Sequence, residues 1–207
     1  MPDDRYEIEL GALHGRLVVG VDEVGRGPLA GPVTAAAVVL DLKALPQTLR
    51  RDLQDSKKLT ARRREALAAA IPDYAATALA SATPAEIDAI NILQASLLAM
   101  QRAVAALPVV PEAALIDGLH APALPCEHRC LVGGDDLSWS VAAASILAKV
   151  ARDAEMEDLA GGFPGYGWER NRGYGTSEHR RALLDLGPCQ HHRRSFSPIR
   201  QLFLPNT

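Results

Sequence analysis

Two adjacent carboxylates, Asp22 and Glu23, close the apolar run Leu17-Val18-Val19-Gly20-Val21, and the turn Gly25-Arg26-Gly27 follows at once. Carboxylates at the end of a buried strand can gather a divalent cation. Glycines beside them let the backbone come close to a ligand, because no Cβ stands in the way. A cation next to such a backbone suits phosphate chemistry. Two more acids are candidates. Asp117 ends the apolar run Ala113-Ala-Leu-Ile116, and Asp135 follows Gly133-Gly134 just before a helical stretch. Strand neighbours point to opposite faces, so Asp22 and Glu23 converge only if the strand ends or bends between them. Asp135 and its neighbour Asp136 can also be read as caps of the helix that follows.

These acids need a sheet to position them. Strands are expected at Leu17 to Asp22, Val33 to Leu40, Tyr74 to Ser81, Ala113 to Asp117 and Arg129 to Val132. Helices are expected at Ala61 to Ala70, with Thr60 as N-cap, and from Thr83 to about Leu107. In the second, Thr83 and Glu86 have the spacing of a capping box. Its apolar residues Ile87, Ile90, Leu93, Leu97 and Met100 follow helical spacing. Ser140 to Leu159 reads as a helix whose small residues Ala142, Ala143, Ala144 and Ala148 allow close packing on a sheet. Ser177 to Leu186 reads as another, stopped by Gly187-Pro188. Strands followed by alternating strands and helices imply an α/β sheet with helices on its faces. Residues 1–15 are polar and read as a loose or edge segment.

The chain has 207 residues, 48% hydrophobic and 23% charged, which fits one globular domain, with or without a small appendage. No apolar run is long enough to span a membrane, and the N-terminus has no signal-peptide pattern, so a cytoplasmic enzyme is expected. The net charge is −3, yet basic residues cluster at Arg50-Arg51, Lys57-Lys58, Arg62 to Arg64, Arg170 to Arg172, Arg180-Arg181 and Arg193-Arg194. Such clusters are either solvated surface or a local stripe for phosphates, with acids elsewhere setting the total. Three cysteines, Cys126, Cys130 and Cys189, fit a reducing compartment. Cys126 and Cys130 with His191 and His192 fall short of a zinc reading, which needs four well-placed ligands.

Several motifs, in order, resemble the ribonuclease HII (type 2 ribonuclease H) family over about Leu17 to Arg200. Besides the Gly20 to Pro32 segment they are Asp55-Ser-Lys-Lys-Leu-Thr60, Ile90-Asn-Ile-Leu-Gln94, Ile116-Asp117-Gly118, Gly134-Asp135 with Ala143 to Val150, Gly173-Tyr-Gly-Thr176 and His192 to Pro198. The resemblance implies a ribonuclease H-like fold: a mixed five-stranded sheet flanked by helices over residues 16–160. A lead-in over residues 1–15 would precede it, and a C-terminal helical segment over 161–207 would complete the substrate groove. It also implies that Asp22, Glu23, Asp117 and Asp135 are the catalytic metal ligands. An all-oxygen ligand set favours Mg²⁺ or Mn²⁺ over zinc. Two such ions about 3.5–4 Å apart can clamp an in-line displacement at phosphorus. The expected products carry 5′-phosphate and 3′-hydroxyl ends.

The 2′-hydroxyl, apart from the missing thymine methyl, marks a ribonucleotide in DNA. Gly25, Arg26 and Gly27 can offer main-chain groups to it; otherwise the turn merely links two strands. By resemblance, Tyr174 stacks on the deoxyribose after the ribonucleotide and meets the 2′-hydroxyl. Lys57, Lys58 and Lys149 are expected at phosphates, Ser56 and Thr176 as backbone donors, and His192, Arg193 and Arg194 as a second basic edge. The implied activity is hydrolysis of RNA in RNA–DNA hybrids and cleavage 5′ of ribonucleotides embedded in duplex DNA, as used in replication and ribonucleotide excision repair. The competing reading is a non-catalytic hybrid-binding module, which four clustered acids oppose because they would repel phosphates without metal. The short stretch before Leu17 is expected to leave no room for the extra N-terminal domain typical of the type 3 enzyme. A monomer is expected. The tail Gln201-Leu-Phe-Leu-Pro205 resembles the peptide by which bacterial proteins dock on the DNA sliding clamp, although its leucines and phenylalanine can equally pack on the protein's own core.

Overall fold

Valine- and alanine-rich runs make the two central strands. The computed structural model describes residues 1–54 and 59–202. In it, β1 (Val18–Val24) and β2 (Val33–Leu40) pair antiparallel, with Gly20 opposite Val38 and Asp22 opposite Ala36. Both are covered on both faces, so their sequences run apolar without alternation. β3 (Ala75–Ala82) extends the sheet antiparallel beyond β2. β4 (Ala113–Asp117) and β5 (Glu127–Leu131) extend it in parallel beyond β1. The order is β3-β2-β1-β4-β5, the mixed five-stranded sheet that the sequence implies.

The longest helix, α5 (Trp139–Gly162), packs on β1 and β2. Its first turns are small: Ala142, Ala143, Ala144 and Ala148 are all fully buried. The approach is so close that a Cβ on Gly20 would lie 2.2 Å from the Ser140 carbonyl carbon. Glycine at 20 is therefore a packing requirement. Two further helices complete this layer: α2 (Gln47–Gln54), and α3 (Ala61–Ala70), which Thr60 caps by accepting from Arg63 N. The sequence reading omits α2, because only Leu49 and Leu53 mark its inner face; both are buried.

On the other face lies α4 (Pro84–Ala105). Its capping box forms as expected, with Thr83 N donating to Glu86 Oε2 at 2.8 Å and Glu86 N donating to Thr83 Oγ1 at 3.2 Å. The helix is not continuous, however. Asn91 sits at φ 67° and ψ 165°, a region that costs a non-glycine residue about 1–3 kcal/mol. Its Oδ1 accepts from Leu93 N and Gln94 N and so restarts the helix. The kink shifts the apolar register. Ile90 is exposed and Leu93 is not part of the core cluster, while the inner face of the second half is Ala95, Ala99, Ala103 and the expected Met100, with the expected Leu97 partly buried against them.

Among the described residues, the C-terminal segment folds as three short helices, α6 (Trp168–Asn171), α7 (Ser177–Leu186) and α8 (Ser197–Gln201), around a separate cluster centred on Trp168, Met156 and Ile199. The N-terminal stretch also differs from expectation, because it is helical over α1 (Arg5–Glu9) and docked. Glu7 is only 1% exposed and accepts from Ser138 Oγ at 2.6 Å, Ser140 N at 2.8 Å and Ser140 Oγ at 2.7 Å. Burial raises its carboxyl above the usual range, against the lowering effect of those donors. Replacing it leaves buried donors unmade. Glu7→Ala is expected to lower the unfolding free energy by about 1–3 kcal/mol in urea titration. A change within about 0.5 kcal/mol, typical of an exposed site, would mean that the N-terminus contributes nothing to the fold.

Candidate functional site

β1 stays paired with β2 through Val24 opposite Thr34, but leaves β4 after Val21 opposite Ile116. The strand therefore does not end between Asp22 and Glu23. Instead a gap opens between β1 and β4, and the Asp22 carboxylate folds back to accept from Glu23 N at 2.7 Å. Asp117 ends β4 at the same edge. One carboxylate oxygen from each of Asp22, Glu23 and Asp117 lies within 4.8 Å of the others. Among the described residues this is the one group of three or more His, Cys, Asp or Glu side chains with metal-ligand spacing.

The electrostatics are unfavourable without a cation. Asp22 is 5% exposed; burial, then the charge of Asp117, hold its carboxyl well above the usual range, against a hydrogen bond from Ser145. Burial likewise raises Glu23, opposed by Arg26, whose Nη1 lies 3.1 Å from Glu23 Oε1. The other oxygen, Glu23 Oε2, is buried with no hydrogen-bond partner. Crowded, desolvated carboxylates with an orphaned oxygen fit a hard divalent cation, which oxygen ligands suit.

Asp135 falls outside this group. It lies half-buried in a 3₁₀ turn, Gly134–Asp136. That turn is tied to the site, because Gly134 N donates to Asp117 Oδ1 at 2.6 Å. The cap of α5 is Ser138, whose Oγ accepts from Val141 N, so neither Asp135 nor Asp136 plays the capping role open to them in sequence.

The segment Gly25 to Pro32 leads away from the acids, and two buried arginines hold it. Arg193 donates to the carbonyls of Gly25, Arg26, Gly31 and Pro32 at 2.6–3.0 Å. Arg152 donates to Ala30 O at 3.2 Å and Pro32 O at 3.0 Å. The two glycines of the Gly-Arg-Gly turn differ. Gly25 has φ 93°, and a Cβ there would lie 2.1 Å from Arg152 Nε. Gly27 is exposed, and a Cβ there would meet only Tyr174 Cε1, at an ordinary 3.8 Å. Internal packing thus demands glycine at 25 but not at 27. The same contact brings the turn and Tyr174, 42% exposed, side by side.

Tyr174 is itself anchored through its main chain. His179 Nδ1 lies 2.9 Å from Tyr174 O, while His179 Nε2 lies 3.2 Å from Trp168 Nε1 and 3.1 Å from His192 Nε2. Trp168 can only donate, so His179 carries its proton on Nδ1 and accepts at Nε2. His192 accepts at Nδ1 from Cys189 N at 3.0 Å, so both rings are neutral, and burial agrees, holding His192 down at about 4 and lowering His179 as well.

The expected basic edge is therefore corrected. His192 and Arg193 are 1% and 0% exposed and act inside the protein; only Arg194 is exposed. Lys149 is half-exposed and pairs with Asp153 at 2.8 Å. Thr176 is exposed and caps α7, accepting from His179 N. Arg63, Arg170 and Arg172 have acidic partners in Asp52, Glu178 and Glu157, so the sequence clusters are less available to phosphates than their spacing suggests. Ser56, Lys57 and Lys58 lie outside the described residues, as do residues 203–205 of the tail; Gln201 and Leu202 are exposed. Ser145 and Arg152 carry contacts that the sequence reading missed. With Lys149 they lie at i, i+4 and i+7, one stripe of α5, and that spacing was the available signal.

This sheet order, with acids at the parting of β1 and β4, defines the ribonuclease H-like class of fold. Ribonuclease H2 of Pyrococcus horikoshii superposes with a TM-score of 0.75 at 27% identity, over 89% of this chain and 96% of that one. The RNase HII of Archaeoglobus fulgidus, in its complex with PCNA, gives 0.70 at 25% identity, over 92% and 98%. In sequence, the Ribonuclease HII of Paramagnetospirillum magneticum is 57% identical over 204 residues, 99% of this chain and all of that protein. The Ribonuclease HII family profile matches residues 19–199. The chain belongs to the ribonuclease HII family.

The crowded acids make a stability prediction. A carboxyl whose folded value is raised favours the fold at low pH, and that benefit is lost as pH rises from the unfolded value, about 4, toward the folded one. Metal-free Asp22→Asn is therefore expected to melt higher than wild type at pH 7, with the difference shrinking toward pH 4. Mg²⁺ or Mn²⁺ should raise the melting temperature of wild type and much less that of the variant. A variant that melts lower without metal, or keeps the full metal gain, contradicts the site.

Proposed function

We propose that this chain is an endoribonuclease that hydrolyses RNA paired with DNA and cuts 5′ of a ribonucleotide embedded in a DNA duplex. The observation that supports this most is the adjoining pair of features: the Asp22, Glu23 and Asp117 cluster, and the exposed Gly27 with Tyr174 close by, within reach of a Cβ at Gly27. Asp22, Glu23 and Asp117 would hold a divalent cation, with Asp135 joining from the turn that Asp117 grips. Mg²⁺ or Mn²⁺ bound there supplies water activation and charge stabilisation at the departing 3′ oxygen.

The chain's own groups do the rest. Glu23 N orients the Asp22 carboxylate by donating to it. Arg26, exposed and paired with Glu23, is placed to meet a flanking phosphate. Gly27 offers main chain to the 2′-hydroxyl with no side chain in the way. Tyr174 presents an exposed ring to a sugar beside it. Lys149 and Arg194 are assigned to phosphates further along, together with Ser56, Lys57, Lys58 and Thr176. His192 and Arg193 support the loops from within. In this reading residues 16–160 carry the chemistry and 161–207 complete the groove. The acid cluster argues against a purely binding role, since uncompensated carboxylates oppose a phosphate backbone. Docking of the tail on a sliding clamp rests on its sequence and on the relative seen with PCNA. Among the described residues no helix is long and apolar enough to cross a membrane.

The test is cleavage of a duplex with one embedded ribonucleotide, comparing Mg²⁺, Mn²⁺ and chelator. Metal-dependent cutting with 5′-phosphate and 3′-hydroxyl ends is expected, with Asp117→Asn inactive but folded. Tyr174→Ala should lose about tenfold to a hundredfold, as loss of a stacking aromatic does. Gly27→Ala should fold normally yet lose activity on this substrate. Undiminished turnover by Asp117→Asn at saturating metal would remove the assignment.

A further inference from the structure

We propose that Arg152 is a positioning residue that locks together the two loops assigned above to the ribonucleotide, Gly25 to Pro32 and Arg172 to Thr176. The inference rests on the proposed function and adds to it a residue that touches neither substrate nor metal.

Three facts point to this coupling. First, the guanidinium is fully buried and spends its donors on both loops. Nε donates to Pro32 O at 3.0 Å and Nη2 to Ala30 O at 3.2 Å, while Nη1 reaches Arg172 O at 3.1 Å. Arg193, the other buried guanidinium, contacts carbonyls of the first loop alone. Second, the backbone at the far contact is held in a costly shape. Arg172 has φ 51° and Gly173 φ 84°, and a Cβ on Gly173 would lie 2.5 Å from Ala30 O. A non-glycine residue in the left-handed region persists only where its surroundings impose it. Third, Gly25 is shaped by Arg152 itself, since a Cβ there would overlap Nε and Cδ at 2.1 and 2.5 Å.

The position of Arg152 on α5 relates both loops to the acids, because the same helix packs on β1, the strand that carries Asp22 and Glu23. The ring of Tyr174 and the main chain of Gly27 come into contact range only if the two loops keep their relative placement. A planar, multi-donor guanidinium can bridge three carbonyls at once; a lysine ammonium in the same space cannot match that fork geometry.

The experiment compares wild type, Arg152→Met and Arg152→Lys on two substrates, a duplex with one embedded ribonucleotide and a continuous RNA–DNA hybrid. Circular dichroism and the melting shift with Mn²⁺ are measured alongside. For a folded Arg152→Met that keeps its metal shift, KM on the single-ribonucleotide substrate should rise at least tenfold and the continuous hybrid should suffer less. Arg152→Lys should restore part of the loss. Amide exchange should quicken in both loops together. A folded Arg152→Met with unchanged KM on both substrates overturns the proposal. So does an equal loss of kcat on both substrates at constant KM, which marks only a smaller folded fraction. Should Arg152→Met not fold, Arg152→Lys carries the same test, with the same split in KM expected and its absence equally fatal. Wild type that cuts neither substrate would remove the proposed function itself, whereas wild-type activity with an indifferent Arg152→Met removes this inference alone.

Discussion

Three carboxylates share a desolvated gap where β1 leaves β4, and much of the structure around them serves to keep them there. Left metal-free, Asp22, Glu23 and Asp117 repel one another and resist burial, which the raised carboxyls of Asp22 and Glu23 record. The fold tolerates this because the edge is rigid. Helix α5 lies flush on Gly20, Glu23 N donates to Asp22, and Gly134 N ties the following turn to Asp117. Such a site costs stability that a bound cation would return, the trade familiar where function requires a strained or charged arrangement.

The glycine-rich turn shows how one motif can combine two physical demands. Gly25 answers to the interior, because the Arg152 side chain fills the space a Cβ would need. Gly27 answers to nothing inside the protein, since its Cβ would fit. A small residue with no internal reason for its size, exposed beside an exposed tyrosine and a step from the acids, supports the role proposed for Gly27 at a sugar-phosphate chain. The glycines on both sides of Tyr174 are also set by packing: a Cβ on Gly173 would meet Ala30 O, and one on Gly175 the Leu29 side chain.

The sheet was legible in the sequence because its central strands are uninterrupted apolar runs, and Asp22 and Asp117 because each closes such a run. Helix α2 was not, since two leucines spaced by four make too short a stripe to register. The kink at Asn91 left no glycine or proline as a signal; its cap is made by the asparagine's own side chain. Convergence of Asp22 and Glu23 needed pairing information, because it arises from β1 parting from β4 while staying with β2. In sequence Arg193 and Arg194 form one basic pair, expected together with His192 as a basic edge. Only packing distinguishes them, and packing puts the first under the glycine turn and the second in solvent. Burial of Glu7 was equally hidden, since its partners lie more than a hundred residues away.

If these acids hold divalent cations against a phosphodiester, metal uptake in the presence of substrate must depend on them. The most direct measurement is a count of bound Mn²⁺ by electron paramagnetic resonance. It would be made with a duplex whose single embedded ribonucleotide has a non-cleavable linkage, on wild type and on Glu23→Gln. Wild type is expected to take up two ions per chain in the presence of the duplex, and the variant to lose at least one while still binding the duplex. Wild type that binds the duplex with no added Mn²⁺ uptake, or Glu23→Gln that keeps the wild-type count, would contradict the account.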